Sequence, residues 1–383
     1  MRILSIFGTR PEAIKMGPVV RELERHPGEI ESVVCVTAQH REMLDQVLDL
    51  FEIRPRIDLG LMEENQNPTS LTAFAIHALT EVLEKVQPDF VLVQGDTTTA
   101  MVAGLAAFYG QIPVGHVEAG LRTYARYHPF PEEMNRRLLG ALATYHFAPT
   151  ERAFAALRRE GVPKENIFVT GNPVIDALRW ISSRPPAPAT VRFLTSLGLD
   201  PGQRPSRKLR TLLVTVHRRE SFGGPLADIC RALKSLVQRN PDVQIVFPVH
   251  LNPNVRETVF GLLSDEPRIH LVDPLPYETL VRLMGCAYLI VTDSGGLQEE
   301  GPAVGKPVLI LREETERPEG VEAGTARIVS RDPAVIVEET ERLLHDPEAY
   351  RRMACAVSPY GDGHAAERIV QIIREHLPER RPL

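Results

Sequence analysis

Cysteine, tryptophan and long apolar runs are scarce in this chain of 383 residues. It has four cysteines and one tryptophan, and no two cysteines stand in a C-x-x-C spacing. This scatter argues against a disulfide framework or a zinc site and is typical of a reducing compartment, so we expect a cytoplasmic protein. No run approaches the ~20 apolar residues of a membrane-spanning helix. The apolar run after Met1 is too short for a signal-peptide core.

An excess of basic charge is also missing. Lysine and arginine number 44 against 50 aspartates and glutamates, a net charge of −6. This balance argues against general binding to nucleic acid or to membrane surfaces, although a local cationic pocket for a small anion needs no basic net charge. With 43% hydrophobic and 25% charged residues, the composition excludes a disordered, collagen-like or coiled-coil chain.

What is present is an alternation of short apolar strands with helical patterns. Residues 2–7 and 90–94 are continuous apolar runs, while 13–23 and 97–109 have the spacing or the small apolar residues of helices packed on a sheet. Buried strands that alternate with helices predict a parallel sheet covered on both faces.

The alternation occurs twice. Residues 183–210 are rich in proline and polar side chains, which predicts a connection between two domains. The pattern restarts at Thr211, and the strand 308–311 closes it. We therefore expect an α/β protein with two Rossmann-like domains whose parallel sheets face a central cleft, because ligands of such sheets bind beyond the carboxyl ends of the strands.

The first polar cluster follows the first strand. Gly8-Thr-Arg-Pro-Glu-Ala-Ile-Lys15 has neither the G-x-G-x-x-G nor the P-loop pattern. It nevertheless places Arg10 and Lys15 at a turn and a helix start, where backbone N–H groups favour anions. The alternative is a capped helix with solvated charges.

Four acids then follow predicted strands or open a helix. Asp96 and Glu118 each come directly after a strand, and Glu132 and Glu133 open a helix. Each has an ordinary alternative: Asp96 as a helix N-cap, Glu118 as a partner of Arg122 or of a nearby helix end, and one of the two glutamates as a helix-start acid. A convergence of Asp96, Glu118 and Glu132 is typical of catalytic or metal sites. Since no histidine stands at ligand spacing, acid–base chemistry is favoured over a metal.

The second half has two histidines at strand ends, His217 in His-Arg-Arg-Glu and His250 in His-Leu-Asn-Pro. A lone histidine in a loop is more often structural.

In Thr292-Asp-Ser-Gly-Gly-Leu-Gln-Glu-Glu300 a strand runs through a Gly-Gly turn into a helix, which is the geometry that admits a pyrophosphate at a helix N-terminus. Glu300 is placed to accept from ribose hydroxyls, and Arg317 follows another strand.

Eight motifs occur in order along the chain: GTRPEAIKM, QGDTTT, HVEAGLRT, PEEMNR, HRRE, HLNP, DSGGLQEE and ERPE. Together they resemble the non-hydrolysing UDP-N-acetylglucosamine 2-epimerase family. The resemblance implies a fold similar to glycosyltransferase B, with an N-terminal Rossmann-like domain at 1–172, a C-terminal UDP-binding domain at 173–364, and a helix at about 365–383 that packs back on the first domain.

The same resemblance implies an activity. The family interconverts UDP-GlcNAc and UDP-ManNAc by eliminating UDP to 2-acetamidoglucal and adding it back, without a cofactor or metal. A homodimer is expected, with no nucleic-acid or membrane partner. A hydrolysing relative that releases UDP and ManNAc stays open as an alternative, as do a glycosyltransferase and a nucleotide-sugar-binding regulator, although the three acids argue against the last two.

Residue roles are carried over motif by motif. The catalytic residues implied are Asp96, Glu118, Glu132 and His217. The substrate-binding residues implied are Arg10, Lys15, Asp96, Glu118, His217, Ser294, Gly295, Gly296, Glu300 and Arg317. Gln46 and His250 match part of a site for an activating second UDP-GlcNAc. The chain departs from the family pattern at Ser221, where many members have Asn, and at Leu275 and Leu280, where relatives often carry Gln and Phe near the uracil.

Overall fold

The computed structural model describes residues 1–37, 41–61, 67–200, 209–218 and 221–376, without the side chains of 41 and 42. The chain divides into two compact units. The first comprises Met1–Trp180 together with Tyr360–Leu383, and the second comprises Ile181–Pro359. Of the proline-rich segment 183–210 that we expected to connect two domains, residues 183–200 and 209–210 belong to the second unit, and residues 201–208 lie outside the described residues.

The first unit contains a seven-stranded parallel sheet in the order β3-β2-β1-β4-β5-β6-β7. Its strands are β1 (Arg2–Phe7), β2 (Glu31–Val36), β3 (Ile57–Asp58), β4 (Phe90–Gln94), β5 (Val114–Val117), β6 (Tyr145–Ala148) and β7 (Ile167–Val169). Its helices are α1 (Arg10–Leu23), α2 (Arg41–Leu50), α3 (Pro68–Val86), α4 (Thr98–Tyr109), α5 (Glu132–Leu142), α6 (Glu151–Arg159), α7 (Pro173–Ser182, whose last two residues fall in the second unit) and the C-terminal α16 (Ala365–His376), besides a 3₁₀ turn at Lys164–Asn166.

The second unit contains a six-stranded parallel sheet in the order β10-β9-β8-β11-β12-β13. Its strands are β8 (Arg210–Thr215), β9 (Val243–Pro248), β10 (Ile269–Val272), β11 (Leu289–Thr292), β12 (Val308–Ile310) and β13 (Ala326–Ile328). Its helices are α8 (Pro188–Ser196), α9 (Gly224–Arg239), α10 (Pro253–Leu263), α11 (Tyr277–Cys286), α12 (Gly295–Ala303), α13 (Pro318–Glu322), α14 (Pro333–His345) and α15 (Pro347–Ala354).

Each sheet is buried on both faces, as the continuous apolar strands predict. All five residues of β4 are buried, and Val91 and Val93 pack in one core with Ala103 of α4. In the second unit Val214 and Val291 pack with Leu233 of α9. The predicted α/β class with two Rossmann-like domains is therefore confirmed. The expectation that residues 308–311 end the alternation is wrong, because the short strand β13 follows in the chain and pairs with β12.

In both sheets the order in which successive strands are added reverses between two neighbouring strands that are distant in sequence. In the first sheet the switch lies between β1 and β4, and in the second between β8 and β11. Parallel sheets of this kind bind ligands beyond the carboxyl ends of the strands at such a point. The polar clusters that follow these four strands are therefore the candidate sites of each unit.

No described helix combines the length and apolarity needed to cross a membrane.

Candidate active site

The loops after β1 and β4 are joined by a buried carboxylate. Glu12 Oε2 accepts from the backbone N–H groups of Gly8 (3.0 Å) and Thr9 (2.7 Å), which completes the capping box of α1. Its other oxygen, Oε1, accepts from Thr97 Oγ1 at 2.6 Å. Burial raises the pKa of Glu12, although its hydrogen bonds oppose the shift. The sequence motif contains Glu12, but only the structure shows that it fastens two strand ends together.

Glu118 and Lys15 form an ion pair inside the first unit. Lys15 Nζ lies 2.5 Å from Glu118 Oε2, and the side chains of both residues are largely buried. Gln94 Nε2 donates to the same oxygen, while Asn172 Nδ2 donates to Oε1 at 3.2 Å. Three polar side chains from different parts of the unit thus hold one carboxylate. Asn172 was not singled out by its sequence context, since nothing there indicates a partner 54 residues away.

The backbone of Glu118 is also unusual. Its φ of +64° lies in the left-handed region, which is costly for a residue with a side chain and is found most often at functional sites. The alternative that Glu118 pairs with Arg122 is wrong. Arg122 instead binds Glu160 through Nε (2.9 Å) and Nη2 (2.8 Å).

Asp96 is held by residues of α5. Arg136 donates to Asp96 Oδ2 from both Nε (3.1 Å) and Nη2, and Asn135 Nδ2 donates to the Asp96 carbonyl oxygen at 3.0 Å. The alternative that Asp96 caps α4 is wrong, because the N-cap is Thr97, whose side chain accepts from Ala100 N. The carboxylate is about a third exposed and is therefore accessible to a ligand.

The two glutamates that open α5 have different surroundings. Glu133 is fully buried and accepts from the backbone N–H groups of Thr123 (3.0 Å) and Tyr124 (3.1 Å) and from Arg136 Nη1 (3.2 Å). Glu132 Oε2 is a buried atom without a hydrogen-bond partner among the described residues. Glu133 is therefore the structural acid of this pair, and Glu132 is the one available for chemistry.

A neutral histidine supports the loop after β4. His116 Nε2 lies 2.8 Å from the carbonyl oxygen of Gly95, and the residue is fully buried in β5. Burial, with the neighbouring His146 as a second cause, lowers the pKa of His116 to about 3. The uncharged ring donates to Gly95 and so fixes the backbone next to Asp96.

Arg10, a predicted binding residue, lies at the start of α1 with Nη1 3.9 Å from Met43 Sδ.

In the second unit His217 and Asp293 are paired. His217 Nδ1 lies 3.2 Å from Asp293 Oδ1, and the His217 side chain is about a third exposed while that of Asp293 is buried. Burial alone would raise the pKa of Asp293, but the His217 ring and the backbone N–H groups of His217 and Arg218 outweigh it, and the pKa is lowered. Asp293 lies within a predicted motif, yet its pairing with His217 required the structure.

The N-terminus of α12 lies against a buried guanidinium. Arg317 donates to Glu299 from Nε and to Glu316 Oε1 from Nη1 at 2.9 Å. A Cβ on Gly295 would lie 2.5 Å from Arg317 Nη1, so only glycine permits this approach. Ser294 is the N-cap residue of α12 and forms no side-chain cap. Backbone N–H groups, a glycine turn and an arginine together make a site for an anion.

Three predicted residues remain: Glu300 and His250 of the second unit, and Gln46 of the first. Glu300 of α12 is buried and accepts from Tyr277 Oη at 2.8 Å. The His250 ring stacks on His217 with centroids 6.2 Å apart, and burial followed by the charge of His217 lowers the pKa of His250. Gln46 is exposed on α2 of the first unit. Within the described ranges, no group of three or more histidine, cysteine or acidic residues could hold a metal ion.

Comparison with known proteins places this arrangement in a family. A family model described as UDP-N-acetylglucosamine 2-epimerase matches residues 21–374. The UDP-N-acetylglucosamine 2-epimerase of Escherichia coli K12 is 52% identical, covering 98% of this chain and 99% of the relative. The Yersinia pestis enzyme of the same name is also 52% identical, with 98% and 99% covered.

Solved structures agree with these relatives. The UDP-GlcNAc 2-epimerase of Neisseria meningitidis, bound to UDP-GlcNAc, superposes with a TM-score of 0.92 at 47% identity and covers 98% of this chain and 100% of its own. The Methanocaldococcus jannaschii UDP-GlcNAc 2-epimerase, in complex with UDP-GlcNAc and UDP, superposes with a TM-score of 0.82 at 31% identity over 98% and 100% of the two chains. The chain therefore belongs to the UDP-N-acetylglucosamine 2-epimerase family.

Proposed function

We propose that the protein interconverts UDP-N-acetylglucosamine and UDP-N-acetylmannosamine and retains UDP during the reaction. The supporting observation is the cluster of acids in the first unit: Asp96 and Glu118, each held by a cation, and Glu132 with a buried oxygen that no described residue binds. A member of this family that keeps all three acids has the groups that inversion at a carbon requires.

The chemistry of the substrate favours elimination. The C2 proton of the sugar has no adjacent carbonyl, so direct enolisation is not available, and the chain has no nicotinamide-binding motif for oxidation at C3. In the elimination, a base takes the C2 proton, the electron pair forms the C1–C2 double bond, and UDP leaves C1. UDP then adds back to 2-acetamidoglucal as a proton is delivered to the other face of C2.

We assign the general base to Asp96 and leave the division of the remaining acid–base work between Glu118 and Glu132 open. Arg136 holds the Asp96 carboxylate in one orientation through two hydrogen bonds to Oδ2, which suits a positioned acceptor of the C2 proton. Arg10 and Lys15 are the proposed cationic binding residues of the first unit. Lys15 already holds Glu118 in place.

In the second unit we assign the nucleotide to the start of α12. The hydroxyl of Ser294, whose backbone N–H already donates to Thr292 Oγ1 at 2.9 Å, and the backbone N–H groups of Gly295 and Gly296 would bind the diphosphate beside Arg317. Glu300 would accept from a ribose hydroxyl. His217 would stabilise the charge that develops on the departing UDP. The homodimer, the cytoplasmic location and an activator site with Gln46 and His250 stay predictions.

The test is proton NMR of the purified full chain with UDP-GlcNAc in heavy water, without added cofactor. We expect UDP-ManNAc with deuterium at C2 and little free UDP. Release of UDP together with ManNAc would instead establish the hydrolysing alternative, and absence of both exchange and product would contradict the proposed activity.

The assignment of Asp96 is tested separately with Asp96→Asn. The amide cannot take a proton but keeps the size and the acceptor oxygen of the carboxylate. We expect C2 exchange to fall by at least about 100-fold, the usual minimum contribution of a positioned base. Full exchange in this variant would refute Asp96 as the base.

A further inference from the structure

We propose that Asp293 is a positioning residue for His217: it holds the ring with the Nδ1 proton toward the carboxylate and so presents Nε2 to the diphosphate of the substrate. The role of the diphosphate rests on the proposed function above, whereas the orientation of the ring does not.

The carboxylate of Asp293 is saturated with donors. It has no exposed surface, and Oδ2 accepts from His217 N (3.0 Å), Arg218 N (2.9 Å) and Ser221 Oγ (3.0 Å). These contacts lower the pKa of Asp293 despite its burial and so favour the ionised carboxylate. An ionised carboxylate only accepts hydrogen bonds, so the His217 Nδ1 that lies 3.2 Å from Oδ1 must carry the proton.

The pair is built on rigid elements. His217 comes two residues after β8 and Asp293 directly after β11, and these strands are neighbours with Thr215 opposite Thr292 in the register. The hydroxyl groups of the two threonines lie 2.6 Å apart and fasten the strand ends. Side chains that follow paired strands are held more precisely than side chains on a loop.

The orientation has a chemical consequence. With Nδ1 committed to Asp293, Nε2 is the ring nitrogen left for a ligand, and a buried negative charge stands behind the ring when Nε2 also carries a proton. Such a ring can donate from Nε2 to a phosphate oxygen as the C1–O bond breaks. His250 stacks on the ring, and Arg218, the next residue in the chain, donates its backbone N–H to Asp293 and its guanidinium to Glu316 at 3.3 Å.

The closing experiment records the histidine tautomer directly. The full chain is labelled with ¹⁵N-histidine, and the His217 signals are assigned by comparison with His217→Gln and His250→Gln. At a pH where the ring is neutral, we expect the Nδ1–H tautomer in the unaltered protein. A His217 ring with its proton on Nε2 overturns the proposal, whatever the activity of the enzyme.

The variant Asp293→Asn tests whether the orientation of His217 affects catalysis. An amide oxygen in the place of Oδ2 would keep the contacts of that atom. An NH₂ in the place of Oδ1 would lose the second contact of His217 N and face Nδ1, so the ring proton should move to Nε2. We expect kcat to fall on the order of 100-fold, less than the about 10⁴-fold loss from the same tautomer error in serine proteases. The dissociation constant for UDP should stay within about threefold, a shift of roughly 0.6 kcal/mol. Unchanged tautomer and kcat in this variant overturn the proposal.

Ser221→Ala is the matched control. It removes one donor to the same carboxylate without offering Nδ1 a new donor, so the Nδ1–H tautomer should persist and kcat should fall much less than in Asp293→Asn. Equal losses in the two variants would show that Asp293 only supports the loop and would overturn the positioning role. If the unaltered protein shows the Nδ1–H tautomer but no epimerisation, the proposed function fails and the orientation of His217 stands.

Discussion

Arg136 binds one oxygen of Asp96 through two of its nitrogens, Nε at 3.1 Å and Nη2, although the residues are 40 positions apart in the chain. Its third nitrogen, Nη1, donates to the buried Glu133 at 3.2 Å. The guanidinium therefore couples the acid after β4 to the start of α5. This places a fixed positive charge beside the proposed base.

The first prediction concerns this guanidinium. Arg136→Met should lower kcat for epimerisation by about 100-fold or more, because Asp96 loses its orientation and Glu133 is left buried without its cation. Arg136→Lys should restore only part of the loss, since an ammonium cannot reproduce the two hydrogen bonds that Nε and Nη2 donate to Asp96 Oδ2. The measurement is initial-rate kinetics with UDP-GlcNAc, alongside urea unfolding of each variant.

Arg137→Met is the matched control for Arg136→Met. Arg137 lies next in α5 and is exposed, and within the part of the chain that the structure describes its ion pair is with Glu160 at 3.8 Å. We expect its kcat to match that of the unaltered protein. A kcat for Arg136→Met that equals the control would contradict the role given to Arg136.

The second prediction separates the two adjacent glutamates of α5. Glu133→Gln should lower the free energy of unfolding by about 2–4 kcal/mol, because the buried carboxylate binds two backbone N–H groups and a guanidinium. Glu132→Gln should leave the free energy of unfolding within about 0.5 kcal/mol and lower kcat by at least about 100-fold. Urea unfolding and initial-rate kinetics of both variants distinguish the two roles. A stability loss in Glu132→Gln with a kcat loss in Glu133→Gln would move the catalytic assignment to Glu133.

The third prediction concerns the close approach at α12. A methyl group on Gly295 would meet the Arg317 guanidinium at 2.5 Å, so Gly295→Ala must displace the arginine from the helix N-terminus. We expect the affinity for UDP, measured by calorimetry, to fall roughly 10-fold, the size of one weakened charge-assisted hydrogen bond.

Gly285→Ala serves as the control for Gly295→Ala. An added Cβ at Gly285, an exposed position of α11, meets no atom within 4 Å. This variant should bind UDP as the unaltered protein does and gain about 0.5–1 kcal/mol in helix stability. Unweakened UDP binding by Gly295→Ala would show that the site does not depend on this contact.

The fourth prediction concerns pH and the C-terminal helix. Asp176 of α7 accepts from the backbone N–H groups of Ala365 (3.2 Å) and Ala366 (2.8 Å) at the start of α16. Burial raises the pKa of Asp176 to about 6, with these two hydrogen bonds opposing the shift. The folded protein therefore binds a proton at pH values where the unfolded chain, with a pKa near 3.9, has lost it.

The contribution of Asp176 to stability is then fully present below pH 4 and is lost as the pH rises through 6. Compared with Asp176→Asn, which does not titrate, the unaltered protein should lose about 1–3 kcal/mol in unfolding free energy between pH 4 and pH 7. Denaturant unfolding of both proteins at the two pH values measures the difference. A constant difference across this range would contradict the raised pKa.

Much of the fold could be predicted from the sequence because the signals are local. The apolar runs that form β1, β4, β9 and β11 and the amphipathic pattern of α1 depend only on neighbouring residues. The short strands β3 and β13 were not predicted, because two or three residues have no periodicity and are defined by their pairing. The division of the chain after Trp180 likewise depends on contacts that local composition does not record.

Local sequence signals indicate which residue types stand at the strand ends, and eight ordered motifs identify the family that the chain resembles. Which of these residues meet depends on the folded arrangement of the strands. Sheet order makes β8 a neighbour of β11 and so brings His217 to Asp293 across 76 positions, as it brings Lys15 to Glu118 across 103. Hydrogen bonds and ion pairs act over a few ångströms in space, and only folding converts those sequence separations into such distances.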